Sequence, residues 1–129
     1  ADPSAQLIAN IFFNKAPLHD GAMIIRAGRI YSAGCILPLS SNISISADLG
    51  TRHRAGLGMS ENSDAVVVVV SEETGQISIA LNGRLTRNYN RVTLREKLEQ
   101  LLISSSEGAA SGGKRILGKL GFSSSKKEA

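Results

Sequence analysis

Residues 64–71, with the sequence DAVVVVVS, contain five consecutive valines and no polar residue between them. Valine favours extended backbone because its β-branched side chain packs well on a pleated surface. A strand without alternation of apolar and polar residues is covered on both faces, as in the middle of a sheet that carries helices on either side. This stretch therefore predicts an α/β domain built on a mixed β-sheet flanked by helices.

The segment before this strand shows helix and hairpin patterns. Asp2 and Pro3 fit the N-cap and the first residue of a helix. We expect this helix to end near residues 15–17, because the residue before a proline avoids helical backbone. Residues 23–26 and 29–37 are apolar runs that an Ala-Gly pair separates, which is typical of a β-hairpin.

Residues on either side of the valine strand predict a loop and two further helices. Residues 40–46 are rich in serine and predict a polar loop, and residues 51–59 predict a helix that its two glycines weaken. Beyond the strand, Thr93 and Glu96 fit a capping box. This box predicts a last helix that ends near Ile103.

The 129-residue chain has the length of one domain and carries a formal net charge of +4. Residues 104–129 contain five lysines and arginines against two glutamates, so most of the excess positive charge lies there. This segment is rich in Ser, Gly and Lys and has almost no hydrophobic periodicity, which predicts a flexible basic tail after a domain of residues 1–103. Its charge leaves open an electrostatic nucleic-acid binder that acts through the tail.

Basic side chains cluster at the expected start of the second helix. In the stretch DLGTRHRAGLG, Thr51 is followed by Arg52, His53 and Arg54. A helix N-terminus attracts anions through its unpaired N–H groups, and Thr51 can cap it or donate its hydroxyl to an oxygen. Arginine suits bidentate phosphate contacts, although two arginines two residues apart cannot share one helical face. The stretch predicts a phosphate site, with an exposed basic turn as the alternative.

Acidic residues flank the expected strands at two places. His19 and Asp20 precede Gly21 at the entry to the first strand, where imidazole and carboxylate can bind a divalent metal or accept a proton. Glu72 and Glu73 follow the valine strand, and ligands of open α/β sheets lie at the carboxyl ends of the strands. A plain turn is the alternative in both places. One cysteine and two histidines are too few for a zinc site.

Taken together, LHDGA, LGTRHRAGLG and VVSEETG (residues 18–22, 49–58 and 69–75) resemble the diadenylate cyclase domain of the bacterial enzymes that make cyclic di-AMP. The resemblance extends over residues 5–102 and is strongest to the membrane-anchored type of cyclase. It implies the mixed sheet of the diadenylate cyclase domain fold, here without the usual N-terminal helix and first strand, and residues 1–103 as the catalytic domain. It also implies a cytoplasmic domain of a membrane-anchored bacterial protein.

The resemblance implies roles for individual residues. The catalytic residues that it implies are Asp20, Arg52, His53 and Arg54. The residues implied to contact ATP, besides those two arginines and His53, are Gly21, Ala22, Leu37, Gly50, Thr51, Ser71 and Glu72. The residues implied to bind Mn²⁺ or Mg²⁺ are His19, Asp20 and Glu73, with Glu72 as an alternative ligand. Ile36 stands where anchored relatives often carry an aromatic residue that could stack on adenine.

The implied reaction joins two ATP molecules into cyclic di-AMP and releases two pyrophosphates. Asp20 would activate the 3′-hydroxyl of one ATP for attack on the α-phosphorus of an ATP held by a second subunit, so the resemblance implies a two-fold homodimer. It implies no nucleic-acid partner, and no motif identifies a regulatory protein partner. The alternative function is a silent nucleotide-binding or regulatory module of the same fold.

Overall fold

The computed structural model describes residues 1–41, 50–103 and 118–120. Its elements, in chain order, are α1 (Ala5–Ile11), β1 (Ala22–Arg26), β2 (Arg29–Cys35), α2 (Thr51–Glu61), β3 (Val67–Val70), β4 (Ile77–Leu81), β5 (Arg84–Tyr89), α3 (Arg91–Leu98), a π-helical turn (Glu99–Ile103) and β6 (Gly118–Leu120). Within these ranges the strands form one six-stranded sheet in the order β2-β1-β6-β3-β4-β5. The helices of the described ranges all fall short of the length and apolar character that a bilayer span requires.

The valine strand lies inside the sheet, as predicted. β3 runs antiparallel to β4 and parallel to β6, and all four of its residues are buried. Val67 and Val69 belong to one hydrophobic cluster with Leu57 of α2. Val68 and Val70 alternate with them, so they face the other side of the sheet, and they are buried as well. The mixed α/β architecture predicted from this stretch is confirmed.

Helix α2 packs on β3 and β4 and extends to Glu61, beyond its predicted end at residue 59. Its N-cap is Gly50, so the interpretation of Thr51 as the N-cap is wrong. The helix contains Gly58 because the chain at Pro38 approaches it closely: a Cβ at this position would lie 2.0 Å from the Pro38 carbonyl oxygen. The glycine that lowers helix propensity thus allows a neighbouring segment to lie directly on the helix.

The first helix begins later and ends earlier than predicted. Ser4 is its N-cap, because the Ser4 hydroxyl oxygen accepts a hydrogen bond from the Leu7 N–H at 3.1 Å. Asp2 is not the cap, since its carboxylate instead accepts a hydrogen bond from the Arg29 guanidinium at 2.6 Å. The helix ends at Ile11, several residues before the proline that was expected to end it.

The N-cap of the last helix lies three residues before the predicted cap. Asn90 is its N-cap: the Asn90 side-chain oxygen accepts from the Thr93 N–H at 2.9 Å, and the Thr93 hydroxyl accepts from the Asn90 N–H at 2.8 Å. The predicted box of Thr93 and Glu96 is therefore wrong, because Thr93 is already the third helical residue. Helical structure continues through the π-helical turn to Ile103, where the sequence predicted its end.

Three residues of the predicted flexible tail form a strand. β6 (Gly118–Leu120) lies between β1, to which it is antiparallel, and β3, to which it is parallel. A segment without hydrophobic periodicity becomes ordered here because two neighbouring strands supply its backbone hydrogen bonds. The structure thus differs from the prediction at these three residues. The domain boundary at residue 103 stays a prediction, and part of the predicted loop, residues 42–46, lies outside the described residues.

A proline in β6 is expected to destabilise the sheet, because this strand joins β1 to β3. Lys119 pairs with Ile24 on one side and Val67 on the other. Lys119→Pro removes an N–H from a central strand, where proline is not tolerated, and the unsatisfied partner costs about 1–3 kcal/mol. Thermal unfolding should show a midpoint several degrees lower than that of the control Lys119→Thr, which keeps the N–H. Equal midpoints for the two variants would show that β6 does not stabilise the sheet.

Candidate active site

A cavity of about 760 Å³ lies where the first turn of α2 meets the ends of β2 and β3. Its lining residues come from the turn before β1, the segment from the end of β2 onward, the start of α2 and the turn after β3: Asp20, Gly21, Gly34, Cys35, Ile36, Leu37, Leu39, Gly50, Thr51, Arg52, His53, Ala55, Ser71, Glu72 and Glu73. All the predicted site residues except His19, Ala22 and Arg54 line this cavity. The fold therefore brings the three sequence motifs together.

The start of α2 lies at the cavity wall, where the N–H groups of the first turn have no acceptor within the helix. Gly50 has extended backbone at the N-cap, and no side chain of the described residues caps the helix there. The N–H groups of the first helical turn precede the first intrahelical donor, since the Arg54 N–H is the group that donates to the Gly50 carbonyl, at 3.2 Å. An anion in the cavity would therefore meet the first turn of α2 and the positive end of the helix dipole.

The guanidinium of Arg52 is the principal positive charge of the cavity wall. Its side chain is 13% exposed, and its Nη2 atom lies 4.0 Å from Asp20 Oδ1 and 3.7 Å from Glu72 Oε1. These distances are too long for hydrogen bonds, so both contacts are ion pairs without a directed bond. The Nη1 atom is buried and has no hydrogen-bond partner among the described residues. Arg52 therefore brings a nearly buried positive charge to the cavity wall, where it can attract an anionic ligand.

The acidic residues stand at the open side of the cavity. The side chains of Asp20 and Glu72 are 83% and 72% exposed, so both carboxylates remain largely hydrated. Glu72 lies in a turn that follows β3 and is braced by its own hydrogen bonds. In this turn the Ser71 N–H donates to the Gln76 carbonyl at 2.9 Å, and the Ser71 hydroxyl accepts from the Thr74 N–H at 3.2 Å. The turn holds its acidic residues at the carboxyl end of the central valine strand.

Gly21 fixes where Asp20 enters the cavity. Its φ is +118°, and a Cβ at this position would lie 2.7 Å from the carbonyl carbon of Gly34 and 2.9 Å from the Cys35 oxygen. The turn before β1 therefore passes directly against the backbone of β2. A side chain at position 21 would separate the two segments and move the Asp20 carboxylate away from Arg52.

One side of the cavity is apolar. Leu37 is buried, whereas Ile36 and Leu39 are 96% and 51% exposed beside the opening. Aliphatic surface next to polar groups is typical of sites that bind an amphiphilic small molecule. The sequence interpretation included Leu37 and Ile36 but missed Leu39 and three further lining residues, Gly34, Cys35 and Ala55. An apolar run alone does not show which of its members line a cavity.

Three predicted residues lie outside the cavity lining. His19 is half-buried, and its Nδ1 lies 2.9 Å from the Ala16 carbonyl, which can only accept, so Nδ1 carries the proton. Ala22 is fully buried and packs behind the lining in one cluster with Leu37 and Ala55. The Arg54 guanidinium donates to a backbone carbonyl on a neighbouring segment instead of facing the cavity.

The donor set of the cavity fits a magnesium or manganese ion that is bound together with a phosphate ligand. Asp20, Glu72 and Glu73 supply hard carboxylate oxygens to one cavity, and a single arginine faces these acidic groups. Within the described ranges no group of three His, Cys, Asp or Glu side chains is close enough to hold a metal alone. Mg²⁺ commonly binds through one or two carboxylates together with waters and substrate phosphates, so a complete protein cage is unnecessary. His19 lies outside this lining, with Nε2 as its remaining ligand atom.

Comparisons with known proteins identify relatives of this chain. The cyclic di-AMP synthase CdaA of Bacillus subtilis is 50% identical over 99 residues, which cover 77% of this chain and 36% of the relative. The crystal structure of a double mutant of DacA from Staphylococcus aureus superimposes with a TM-score of 0.75 at 47% identity, covering 78% of this chain and 67% of that one. The structure of a hypothetical membrane spanning protein from Bacillus cereus gives 0.68 at 49% identity, covering 70% and 44%.

The family assignment rests on a match to most of the domain. The chain spans about a third of the length of the curated relative from Bacillus subtilis. The model of the DAC family, described as "DisA bacterial checkpoint controller nucleotide-binding", matches residues 1–85, which include all three sequence motifs. This range also contains every lining residue of the cavity. The chain therefore belongs to the DAC family, the nucleotide-binding domain family of the DisA bacterial checkpoint controller.

Proposed function

We propose that this domain is a diadenylate cyclase, which condenses two ATP molecules into one cyclic di-AMP and two pyrophosphates. The observation that carries the proposal is the position of Arg52, nearly buried between Asp20 and Glu72 at the start of α2. A relative named cyclic di-AMP synthase shares half of the aligned residues and supports the same reaction.

The polar and the apolar walls of the cavity favour one orientation of ATP, with the triphosphate at the start of α2 and the adenine at the apolar side. The triphosphate would lie at the start of α2, where Arg52 and the N–H groups of the first turn donate to its oxygens. The adenine would lie against the aliphatic side chains of Ile36 and Leu39, which have no charge to desolvate. Thr51 and Ser71 also line the cavity and would donate their hydroxyls to phosphate oxygens.

The chemical step is a nucleotidyl transfer. The 3′-hydroxyl oxygen of one ATP attacks the α-phosphorus of the other, an O–P bond forms, the bond to the bridging oxygen of the β-phosphate breaks, and pyrophosphate leaves. The Asp20 carboxylate would accept the hydroxyl proton. The 3′-hydroxyl of the second nucleotide then attacks the α-phosphorus of the first, which closes the ring and releases the second pyrophosphate. Arg52 would stabilise the charge that develops on the α-phosphoryl oxygens.

We propose Mn²⁺ or Mg²⁺ as the cofactor, because the described residues of the cavity include more carboxylates than cationic side chains while its substrate is itself an anion. Asp20 and Glu73 would hold the ion, with Glu72 as the alternative, and His19 would reach it only through Nε2. When bound, the ion supplies charge neutralisation at the triphosphate oxygens. The carboxylates would thereby hold the ion beside the triphosphate.

The reaction requires two copies of the domain. Each cavity offers one triphosphate site, whereas each ATP must meet the 3′-hydroxyl of another. A face-to-face dimer with two-fold symmetry would satisfy both requirements. The exposure of Asp20 and Ile36 at the cavity opening supports this arrangement, because both side chains could then face the partner's nucleotide. We also propose that the domain is the cytoplasmic part of a membrane-anchored protein, which the similarity to a protein described as membrane spanning supports.

The proposal is tested by incubating the chain with ATP and Mn²⁺ and separating the nucleotides by chromatography, with mass spectrometry of the product. The expected result is one cyclic di-AMP for every two ATP consumed, and no product when the metal is chelated. If ATP binds but no product forms in either condition, the chain is a silent nucleotide-binding module. If ATP does not bind, the cavity is not a nucleotide site.

Replacing Arg52 by lysine is expected to weaken ATP binding. A lysine keeps the charge but loses the planar fork of donors, and hydrogen bonds to charged groups contribute about 1.5–3 kcal/mol, which corresponds to about 10- to 100-fold in affinity. Isothermal titration with ATP and Mg²⁺ measures the change in Kd. Arg29→Lys is the matched control, because Arg29 is an exposed arginine that pairs with Asp2 away from the cavity. Equal Kd values for Arg52→Lys and the parent chain would exclude Arg52 as the triphosphate ligand.

A further inference from the structure

Arg54 forms two hydrogen bonds with Ser40, a residue that does not line the cavity. Its carbonyl accepts a hydrogen bond from the Ser40 N–H at 2.9 Å, and its Nη2 donates to the Ser40 carbonyl at 3.1 Å. Both backbone polar groups of Ser40 are therefore bound to the same residue of α2. The two hydrogen bonds satisfy the backbone of Ser40 and fix the position of this segment along the axis of α2.

Two further contacts hold the same segment along α2. Ser40 is 1% exposed, and its hydroxyl donates to Glu61 Oε2 at 2.8 Å near the other end of the helix. Between these points Pro38 lies directly on Gly58, where a Cβ would have no room. The segment is thus fixed near the start, the middle and the end of α2.

The residues just before Ser40 form the apolar side of the cavity. Ile36, Leu37 and Leu39 line the space in which the proposed function places adenine. Among them Leu37 packs against Ala55, the residue that follows Arg54. The position of this apolar wall, defined as residues 36–39, therefore depends on how the segment is attached to α2.

We infer that Arg54 is a positioning residue that fixes the apolar wall, and thereby recognition of the nucleoside, instead of a ligand of the triphosphate. The inference deepens the proposed function and rests on it. Arg52 and Arg54 are two residues apart, so the helix directs them to different sides. Arg52 faces the carboxylates of the cavity, whereas Arg54 donates to Ser40, and the cavity lining includes the first and not the second.

A comparison of two ligands distinguishes an arginine that binds the triphosphate from an arginine that positions the apolar wall. Isothermal titration with ATP and with inorganic tripolyphosphate, each with Mg²⁺, is carried out on the parent chain, Arg54→Ala and Arg52→Ala. Arg54→Ala should weaken ATP about tenfold, the effect of one lost charged hydrogen bond, and leave tripolyphosphate within about twofold of the parent. Arg52→Ala should weaken both ligands. If Arg54→Ala weakens tripolyphosphate as much as ATP, Arg54 is a phosphate ligand and the inference is wrong.

Amide hydrogen exchange tests the attachment without any nucleotide. In Arg54→Ala the Ser40 N–H should exchange at least about tenfold faster, because local opening of this segment becomes easier. Arg54→Lys, which keeps a donor at that side of the helix, should restore part of the protection and guards against a variant that fails to fold. Unchanged exchange at Ser40 in both variants would overturn the inference, even if the chain binds ATP. A parent chain that binds neither ligand would overturn the proposed function, and the exchange result would then identify a purely structural contact.

Discussion

Replacing Asp20 by asparagine is expected to lower the kcat for cyclic di-AMP formation by about 10²–10⁴-fold, the range associated with a general base. Asparagine has nearly the shape of aspartate but cannot accept the proton of the 3′-hydroxyl. The side chain is 83% exposed and its ion pair with Arg52 is long, at 4.0 Å, so the substitution should not alter the fold. Initial rates of product formation, with the midpoint of thermal unfolding measured in parallel, provide the test.

The control for this variant is Asp2→Asn. Asp2 is an exposed carboxylate paired with an arginine, as Asp20 is, but its partner Arg29 belongs to β2 and neither residue lines the cavity. Asp2→Asn should retain the parent kcat. An Asp20→Asn variant that keeps more than about a tenth of the parent kcat would contradict the role of this carboxylate as general base.

The Gly58→Ala substitution is expected to destabilise the domain by about 3 kcal/mol, at the upper end of the usual cost of overpacking. The added Cβ would lie 2.0 Å from the Pro38 carbonyl oxygen and 2.9 Å from the Ser40 nitrogen. These are backbone atoms and cannot rotate away, so the segment must move off α2. The gain of about 1 kcal/mol in helix propensity does not offset this clash. Thermal unfolding should show a midpoint lower by about 10 °C.

Gly50→Ala is the control for this effect on stability, because a Cβ at Gly50 would meet no atom within 4 Å. Its expected loss is at most about 1 kcal/mol, because alanine is a poorer N-cap than glycine. In Gly58→Ala, displacement of the apolar wall should also raise the KM for ATP. A Gly58→Ala chain as stable as the parent would show that the approach of Pro38 to α2 is not tight.

The valine strand and most of the cavity lining could be predicted because their signals are local. Five β-branched residues in a row specify a buried strand in almost any context, and β3 is buried throughout. The basic start of α2 and the acidic turn after β3 were predicted as ligand sites for the same reason. Ligands commonly bind at helix N-termini and at the carboxyl ends of interior strands, and the sequence pattern predicts where these ends lie.

Contacts between distant segments could not be predicted. Arg54 looks like a phosphate ligand in the sequence, because nothing there shows that Ser40 lies beside it. Likewise, β6 carries no strand pattern of its own, and its backbone is ordered by pairing with β1 and β3. The helix caps at Ser4 and Asn90 were missed for a local reason. Several neighbouring residues could cap each helix, and the choice depends on the exact first turn.

The central claim is that the cavity at the start of α2 holds the triphosphate of ATP. The most direct measurement is a crystal structure with 3′-deoxyATP and Mn²⁺, since this nucleotide lacks the attacking hydroxyl and cannot react. The predicted result places the triphosphate within hydrogen-bond distance of the Arg52 guanidinium and the first-turn N–H groups, with adenine against Ile36 and Leu39. A nucleotide bound elsewhere, for example by the basic residues of the segment 104–129, would contradict the account.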